Sequence, residues 1–401
     1  MTLVIAPFIL LLLTLGILEK KRHKQNINAI PIRININGIR GKSTVTRLIT
    51  GIVHEAGYKT VGKTTGTQAR MLYWFDDKEE PIQRRLEGAN IREQKEVVEK
   101  TAKLKADVLV SECMAVNPDY QIIFQEEMLQ ANIGVIVNIL EDHMDVMGPT
   151  LDEVAQAFTA TIPHNGHLIV NESPYVPFFE KEAKKRNSKV VVCDTSRISE
   201  EYLRKFEYMV FPENAALALA VADVMGISEE AALKGMLRAW PDPGSMTILP
   251  IGNEENHSYF VNGFAANDAA STLNIWKRVK ELGYPTDKPV IIMNCRADRV
   301  DRTEQFAKDV LPYIPCDTLI VIGETTSPIV KSFEQGNIPA QHFLNLEYAD
   351  SKEVLDVLQL FMSNSVIYGV GNIHGAAEPV VEKLEELKID IEKIIAKGEL
   401  V

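Results

Sequence analysis

"NINGIRGKST", residues 35–44, follows an apolar, strand-like run and opens a helical pattern. It closes on the Gly-Lys-Ser of a phosphate-binding loop, yet the common spacing would need glycine at position 36, where the chain has Ile36. The loop is therefore the shorter Gly38-x-x-Gly41-Lys42-Ser43. Two glycines let the backbone curl so that successive N–H groups turn toward phosphate oxygens. Lys42 adds a positive charge, Ser43 or Thr44 offers a hydroxyl to Mg2+, and the helix N-terminus adds its field. The strand–loop–helix setting makes Asn37, Gly38, Ile39, Arg40, Gly41, Lys42, Ser43 and Thr44 the candidate phosphate contacts.

Around this loop the chain has the size of two or three domains, at 401 residues. A hydrophobic content of 46% with 24% charged residues fits a globular protein with a large core. The net charge of −12 argues against a general nucleic-acid binder. Cys113, Cys193, Cys295 and Cys316 are scattered without a C-x-x-C pair, so they read as reduced thiols rather than a disulfide frame or zinc site.

The amino terminus is unlike that of a soluble enzyme. "TLVIAPFILLLLTLGIL" gives 17 uncharged, mostly apolar residues from Thr2 to Leu18, at the low end for crossing a bilayer. A cleavable signal peptide would carry its positive charge before this stretch and a small-residue cleavage site after it; neither is present. Instead Lys20, Lys21, Arg22 and Lys24 follow, which by the positive-inside rule predicts that the body stays in the cytoplasm. The expectation is a single transmembrane anchor over residues 1–19 and a basic juxtamembrane segment over 20–29; a buried amino-terminal helix is the alternative.

From residue 30 onward, short β-branched runs alternate with helical patterns, which predicts an α/β fold. "IPIRININ", "DVLVSECM" and "IGVIVNIL" read as strands covered on both faces, with "HLIVNE" and "KVVVCD" after them. Helices are predicted over 42–56, 214–226 and 228–239. "WPDPGSM", residues 240–246, stops any helix and marks a boundary between a 30–243 domain and a 244–401 domain. Beyond it the alternation restarts as a second parallel α/β unit, closing on a helix over 376–396. Open α/β sheets bind ligands at the carboxyl ends of their strands, so the polar residues there are the ones to weigh.

Glu112, ending "VLVSE", is either a second metal ligand or a solvated strand end. "NILEDHMDVMGPT" (138–150) gathers Asn138, Glu141, Asp142, His143 and Asp145; among those carboxylates His143 is a candidate ligand or acid/base group. "NCRADRVDR" (294–302) carries Arg296, Arg299 and Arg302 among Asp298 and Asp301. It is either a solvated charged loop or a fork-like holder of carboxylate or phosphate, with Asp298 a candidate on the nucleotide side. "YGVGNIHG" (368–375) ends another strand with glycines and His374, a weak signal alone.

In their order, these motifs resemble the Mur ligase superfamily of ATP-dependent amide-forming enzymes. "NGIRGKST" is similar to that family's short phosphate loop, and "TTGT" (64–67), with Thr65, to its second phosphate-side loop. "SECM" stands where the family carries a Mg2+-binding glutamate, and "NILEDHMDVMG" resembles a signature whose histidine also binds metal. "FPENAALALAVADVMGI" is similar to a helix whose asparagine contacts adenine, which points to Asn214. More narrowly, the whole chain resembles the ligase subunits of membrane-bound poly-γ-glutamate synthases.

That resemblance implies a Mur-ligase-like P-loop ATPase domain followed by a Rossmann-like carboxyl-terminal domain, with ATP and Mg2+ as cofactors. It implies transfer of the ATP γ-phosphate to a γ-carboxylate of glutamate or poly-γ-glutamate, then attack by the amine of another glutamate. Lys42, Glu112 and His143 become the expected catalytic residues, with Ser43, Glu112 and His143 as metal ligands. Arg296, Arg299 and Arg302 are expected to guide the polyanionic substrate, with Arg70 and Lys63 behind them. Small membrane subunits of a synthase and export complex are the implied partners, with room for a homo-oligomer. The chain departs from the general pattern in three places: no lysine in "TLDEVAQAFTATI", Ser245 after Pro-Gly, and Asn262 and Ala266 in "VNGFAANDAAS", which is otherwise similar to the family's Asp-Gly-Ala-His-Asn-Pro stretch in the last domain. The rival reading is a membrane-anchored P-loop ATPase that energises or regulates polymer export; a GTPase is disfavoured because no Asn-Lys-x-Asp motif occurs.

Overall fold

The apolar runs on either side of the loop become neighbouring parallel strands. The computed structural model describes the chain except residues 1, 67–68, 77, 85–89, 91, 142–143, 243–245, 254–256, 267 and 390–401, and of residues 2–8 only the backbone. The chain divides into two units, Met1–Tyr202 with Val210–Pro243, and Leu203–Met209 with Gly244–Val401.

The first unit is built on an eight-stranded sheet. Its strands are β1 (Ile32–Asn37), β2 (Thr60–Lys63), β3 (Arg70–Tyr73), β4 (Glu80–Pro81), β5 (Val108–Glu112), β6 (Ile133–Ile136), β7 (His167–Val170) and β8 (Lys189–Val192). The order is β4-β3-β2-β5-β1-β6-β7-β8, parallel except for β3 and β4. The Ile- and Val-rich β5 and β6 are buried along their whole length, as strands covered by helices on both faces must be. The two-strand antiparallel extension escapes a sequence reading because Arg70–Tyr73 is short and Glu80–Pro81 is polar and exposed. β1 lies between β5 and β6, so the loop leaving it emerges where the strand order reverses, the place at which open α/β sheets bind ligands.

Helix α1 (Thr2–Asn28) has two halves of different character. Its carboxyl-terminal part docks on the unit: Ile27 joins Ile30, Phe124 and Leu129 in the core. His23 is buried against the Met128 carbonyl at 3.0 Å, and burial lowers its pKa. Ile9–Leu13, Leu15, Ile17 and Leu18 are instead exposed. Among the described residues no helix is long and apolar enough to cross a membrane. The expected transmembrane anchor over residues 1–19 therefore has no support among the described residues. The side chains of residues 2–8 lie outside the described residues.

The second unit holds a six-stranded sheet of β9 (Ile248–Gly252), β10 (His257–Asn262), β11 (Val290–Cys295), β12 (Cys316–Gly323), β13 (Ala340–Glu347) and β14 (Val366–Gly371). The order is β13-β12-β11-β14-β10-β9. It is not wholly parallel, as the alternation predicts, because β9 pairs antiparallel with β10. β9 carries Pro250 and the edge strand β13 is half polar, so neither shows the continuous apolar run of a central strand. Phe260, Phe264, Ile292, Ile320 and Ile367 form its core. The last described helix, Ala377–Glu386, is shorter than the predicted 376–396, because Lys388 and Ile389 turn to pair with Ile251 and Pro250 of β9.

Candidate active site

β1 ends at Asn37, and the next four residues wrap into the first turn of helix α2 (Lys42–Glu55). Gly38 sits at φ +128°, and a Cβ there would lie 3.0 Å from the Val137 amide, so only glycine fits. Gly41 is the N-cap of α2 at φ +84°, and no side chain caps the helix. The first amides of α2 thus have no side-chain acceptor, the condition in which a helix N-terminus attracts an anion. Lys42 folds back over the loop, its Nζ donating to the carbonyls of Gly38 (2.8 Å) and Ile39 (3.0 Å).

Asn138, just beyond β6, clamps the loop from the other side. Its Oδ1 accepts from the amides of Ile39 (3.2 Å) and Arg40 (3.0 Å), and its Nδ2 donates to the Arg40 carbonyl at 3.0 Å. The Asn37 side chain is buried beneath the loop, its Oδ1 accepting from the Gly38 amide at 2.9 Å. Asn214, near the start of the helix Pro212–Met225, packs its amide against Gly41: a Cβ on Gly41 would lie 3.0 Å from Nδ2 and 3.1 Å from Oδ1.

Beside the loop stands Glu112, at the end of β5. β5 runs beside β1 with Glu112 opposite Ile36, which places a carboxylate at 2% exposure level with the start of the loop. It accepts from the Ser43 hydroxyl at 2.9 Å, the Thr65 amide at 2.8 Å and the Thr65 hydroxyl at 2.6 Å. Three donors satisfy the hydrogen-bonding needs of this buried carboxylate. The Ser43 hydroxyl and Glu112 carboxylate are hard oxygen donors that fit Mg2+, which is commonly held by one or two protein oxygens together with substrate phosphates. Among the described residues no group of three or more His, Cys, Asp or Glu forms a complete cage. Asp142 and the expected ligand His143 lie outside the described residues.

Of two further basic candidates, one belongs to the interior and the other is half-buried. Lys63 is fully buried at the end of β2 and pairs with Glu93 at 3.0 Å, while Arg84 holds the same carboxylate at 3.0 Å. Burial lowers the Lys63 pKa against the pull of Glu93, and so enclosed an ammonium cannot steer a substrate. Arg70 is half-buried, with its Nε 3.9 Å from Glu79. The same Glu79 takes the forked guanidinium of the buried Arg47, whose Nε lies 3.4 Å from Asp242.

In the second unit, polar residues gather at the carboxyl ends of β11 and β14. Asn294 Nδ2 donates to the carbonyls of Asn372 (2.6 Å) and His374 (3.0 Å). Arg302 donates to Asn372 Oδ1 at 2.7 Å, Arg296 pairs with Asp298 at 2.8 Å, and Arg299 lies exposed in the intervening turn. The structure thus brings Arg296, Asp298, Arg302 and the "YGVGNIHG" stretch to neighbouring strand ends. The clamp by Asn138 is the contact least visible in sequence; its position directly after an apolar strand was the only signal.

The chain matches the family model of the Mur ligase middle domain over residues 36–230 and that of the poly-gamma-glutamate synthase CapB C-terminal domain over residues 248–387. It is 68% identical over 378 residues to PGA synthase CapB of Bacillus subtilis (strain 168), covering 94% of this chain and 96% of that one. It is 62% identical over 378 residues to capsule biosynthesis protein CapB of Bacillus anthracis, covering 94% and 82%. Among solved structures it is similar to folylpolyglutamate synthase from Thermotoga maritima, with a TM-score of 0.61, 15% identity and coverage of 93% and 95%. That likeness speaks to the fold.

Proposed function

The chain belongs to the PGA synthase CapB family and is an ATP-dependent amide ligase, and from that premise we propose that it joins glutamate units into poly-γ-glutamate through an acyl phosphate. A carboxylate resists attack by an amine, because its charge repels the nucleophile and oxide is a poor leaving group. Phosphorylation removes both obstacles. An oxygen of the γ-carboxylate attacks the γ-phosphorus of ATP and ADP leaves. The amine of the next glutamate then attacks the carbonyl carbon, phosphate leaves with the bonding electrons, and the amine loses its proton.

The work left to the protein is positioning and charge neutralisation. The uncapped amides of α2 and the Lys42 ammonium hold the transferring phosphates, and each well-placed contact of this kind contributes on the order of 3 kcal/mol to lowering the barrier. Mg2+ held by Ser43 and Glu112 would supply further positive charge there, with His143 as the additional ligand that the family resemblance implies. Asn214, Thr65 and Asp298 stand on the nucleotide side of this reading, and Arg70, Arg296, Arg299 and Arg302 on the substrate side. The convergence of Ser43 and Thr65 on one buried carboxylate is the observation that carries it.

Membrane association belongs to the same reading. The apolar side chains of Ile9–Leu13, Leu15, Ile17 and Leu18 are exposed, and a lipid surface would cover them. We place the body on the cytoplasmic side, beside the membrane subunits of a synthase and export complex. The discriminating experiment incubates membranes containing the chain with ATP, Mg2+ and labelled glutamate, with hydroxylamine as a trap. Glutamate-dependent ADP and phosphate, γ-linked product and a γ-hydroxamate are expected. AMP release, or ATP turnover indifferent to glutamate, would instead favour an ATPase serving export.

A further inference from the structure

Beneath the phosphate loop lies a ladder of buried amides. Asn35 and Asn37 project from one face of β1, two residues apart, and both are 2% exposed. Gln121 and Gln125 project from one face of the helix α3 (Pro118–Ile123) and its π-helical continuation Phe124–Leu129. Their spacings agree: two strand residues rise about 6.6 Å, and four helical residues about 6 Å. The elements run in opposite directions, so Asn35 meets Gln125 at 3.0 Å and Asn37 meets Gln121 at 2.8 Å.

The two rungs are not equivalent. In the rung remote from the loop, Asn35 donates to Gln125, but its own Oδ1 is buried without a hydrogen-bond partner. In the rung beside the loop, Asn37 uses its whole amide. Nδ2 donates to Gln121 Oε1 and, at 3.0 Å, to the Thr161 hydroxyl, while Oδ1 accepts the Gly38 amide at 2.9 Å. An asparagine amide can be turned over to exchange its oxygen and nitrogen. The Gly38 N–H can only donate, and Gln121, whose Nε2 is held by the Val116 carbonyl at 2.9 Å, presents only its oxygen, so both oppose that exchange here, while the Thr161 hydroxyl takes the second proton of the nitrogen; the oxygen stays on Gly38. Gly38 is the first peptide of the loop and is already pressed against the backbone of Val137 and Asn138.

We propose that Gln121 and Thr161 are positioning residues for nucleotide binding, which lock the Asn37 amide and thereby the orientation of the Gly38 peptide. Neither touches the nucleotide. The inference rests on the reading that this loop holds ATP, and it assigns a role to a stretch, "NPDYQIIFQ", that the reaction itself leaves unused. The remote rung supplies an internal control of equal burial and chemistry.

The test uses the full chain in membranes, with KM for ATP and kcat measured from glutamate-dependent ADP release, and direct binding of a fluorescent ATP analogue as a second readout. Thr161→Val, which keeps shape and removes the hydroxyl, and Gln121→Met should each raise KM and the analogue's Kd about tenfold, with kcat within about threefold of wild type, as for lost ground-state binding. Thr161→Ser should restore wild-type values. Gln125→Met should lower the melting temperature comparably to Gln121→Met yet leave KM and Kd unchanged. Equal shifts in KM from Gln125→Met and Gln121→Met, or no shift from Thr161→Val, overturns the proposal. Failure of the wild-type chain itself to bind the analogue would instead remove the nucleotide reading, and this inference with it.

Discussion

The Ser43 hydroxyl donates to the Glu112 carboxylate at 2.9 Å, joining the first turn of the loop helix to the strand beside it. The pair ties a residue from a glycine-rich turn to one 69 positions away. Glu112→Gln keeps size but removes the charge and turns one acceptor oxygen into a donor. It should lower glutamate-dependent ADP formation by a factor on the order of 100 to 1,000 at saturating ATP. Lys42→Ala should abolish ligation while leaving circular dichroism and melting temperature near wild type. Polymer synthesis at the wild-type rate by either variant would contradict the assignment.

Asn138 holds the loop through both ends of its amide. Asn138→Ala removes three hydrogen bonds whose net contribution is about 1 kcal/mol each in folded proteins. If even half of this is felt in nucleotide affinity, KM for ATP rises about tenfold. Steady-state kinetics over a range of ATP concentrations checks it, with unchanged KM as the contrary result.

Lys63 and Glu93 make a prediction about stability. Glu93→Gln would leave a buried ammonium without its counter-charge and should cost about 3–5 kcal/mol, measured by urea denaturation. Replacing Lys63 by Met in the same background should recover much of that loss. Burial opposes ionisation of Glu93, but Lys63 and Arg84 outweigh it and hold the carboxyl below its ordinary value. Its contribution is therefore present above the ordinary carboxylate range and fades as pH falls through the folded-state value. The acid limb of the wild-type stability curve should be steeper than that of Glu93→Gln.

Deleting residues 1–19 removes the exposed apolar side chains but spares His23, Ile27 and Ile30, which bind the helix to the core. The truncated chain should fold with a near-native melting temperature and move to the supernatant of a membrane flotation assay. Its continued flotation in the absence of other subunits would locate membrane attachment elsewhere.

The strand–loop–helix reading of residues 32–55 needed only local information, since glycine positions, a lysine and an apolar period are all written within two dozen residues. Glu112 was visible as a candidate for the same reason: a charged residue ending a buried apolar run is conspicuous. Lys63 misleads in sequence because "VGKTTGT" gives no sign that Glu93, thirty positions on, folds over it. The antiparallel strands β3, β4 and β9 escape notice because they are short or interrupted by proline, and are strands only by virtue of their neighbours.

By itself, then, the order of residues determined the alternating α/β pattern, the short loop and its lysine, and the acid at the end of β5. Only the tertiary structure decided that β5 lies next to β1 in the register that sets Glu112 beside Ser43, that Asn138 grips the loop, and that Asn37 turns inward to Gln121 and Thr161. The physical reason is that each of those contacts is a hydrogen bond between distant segments, and its existence depends on strand order and register rather than on local propensity.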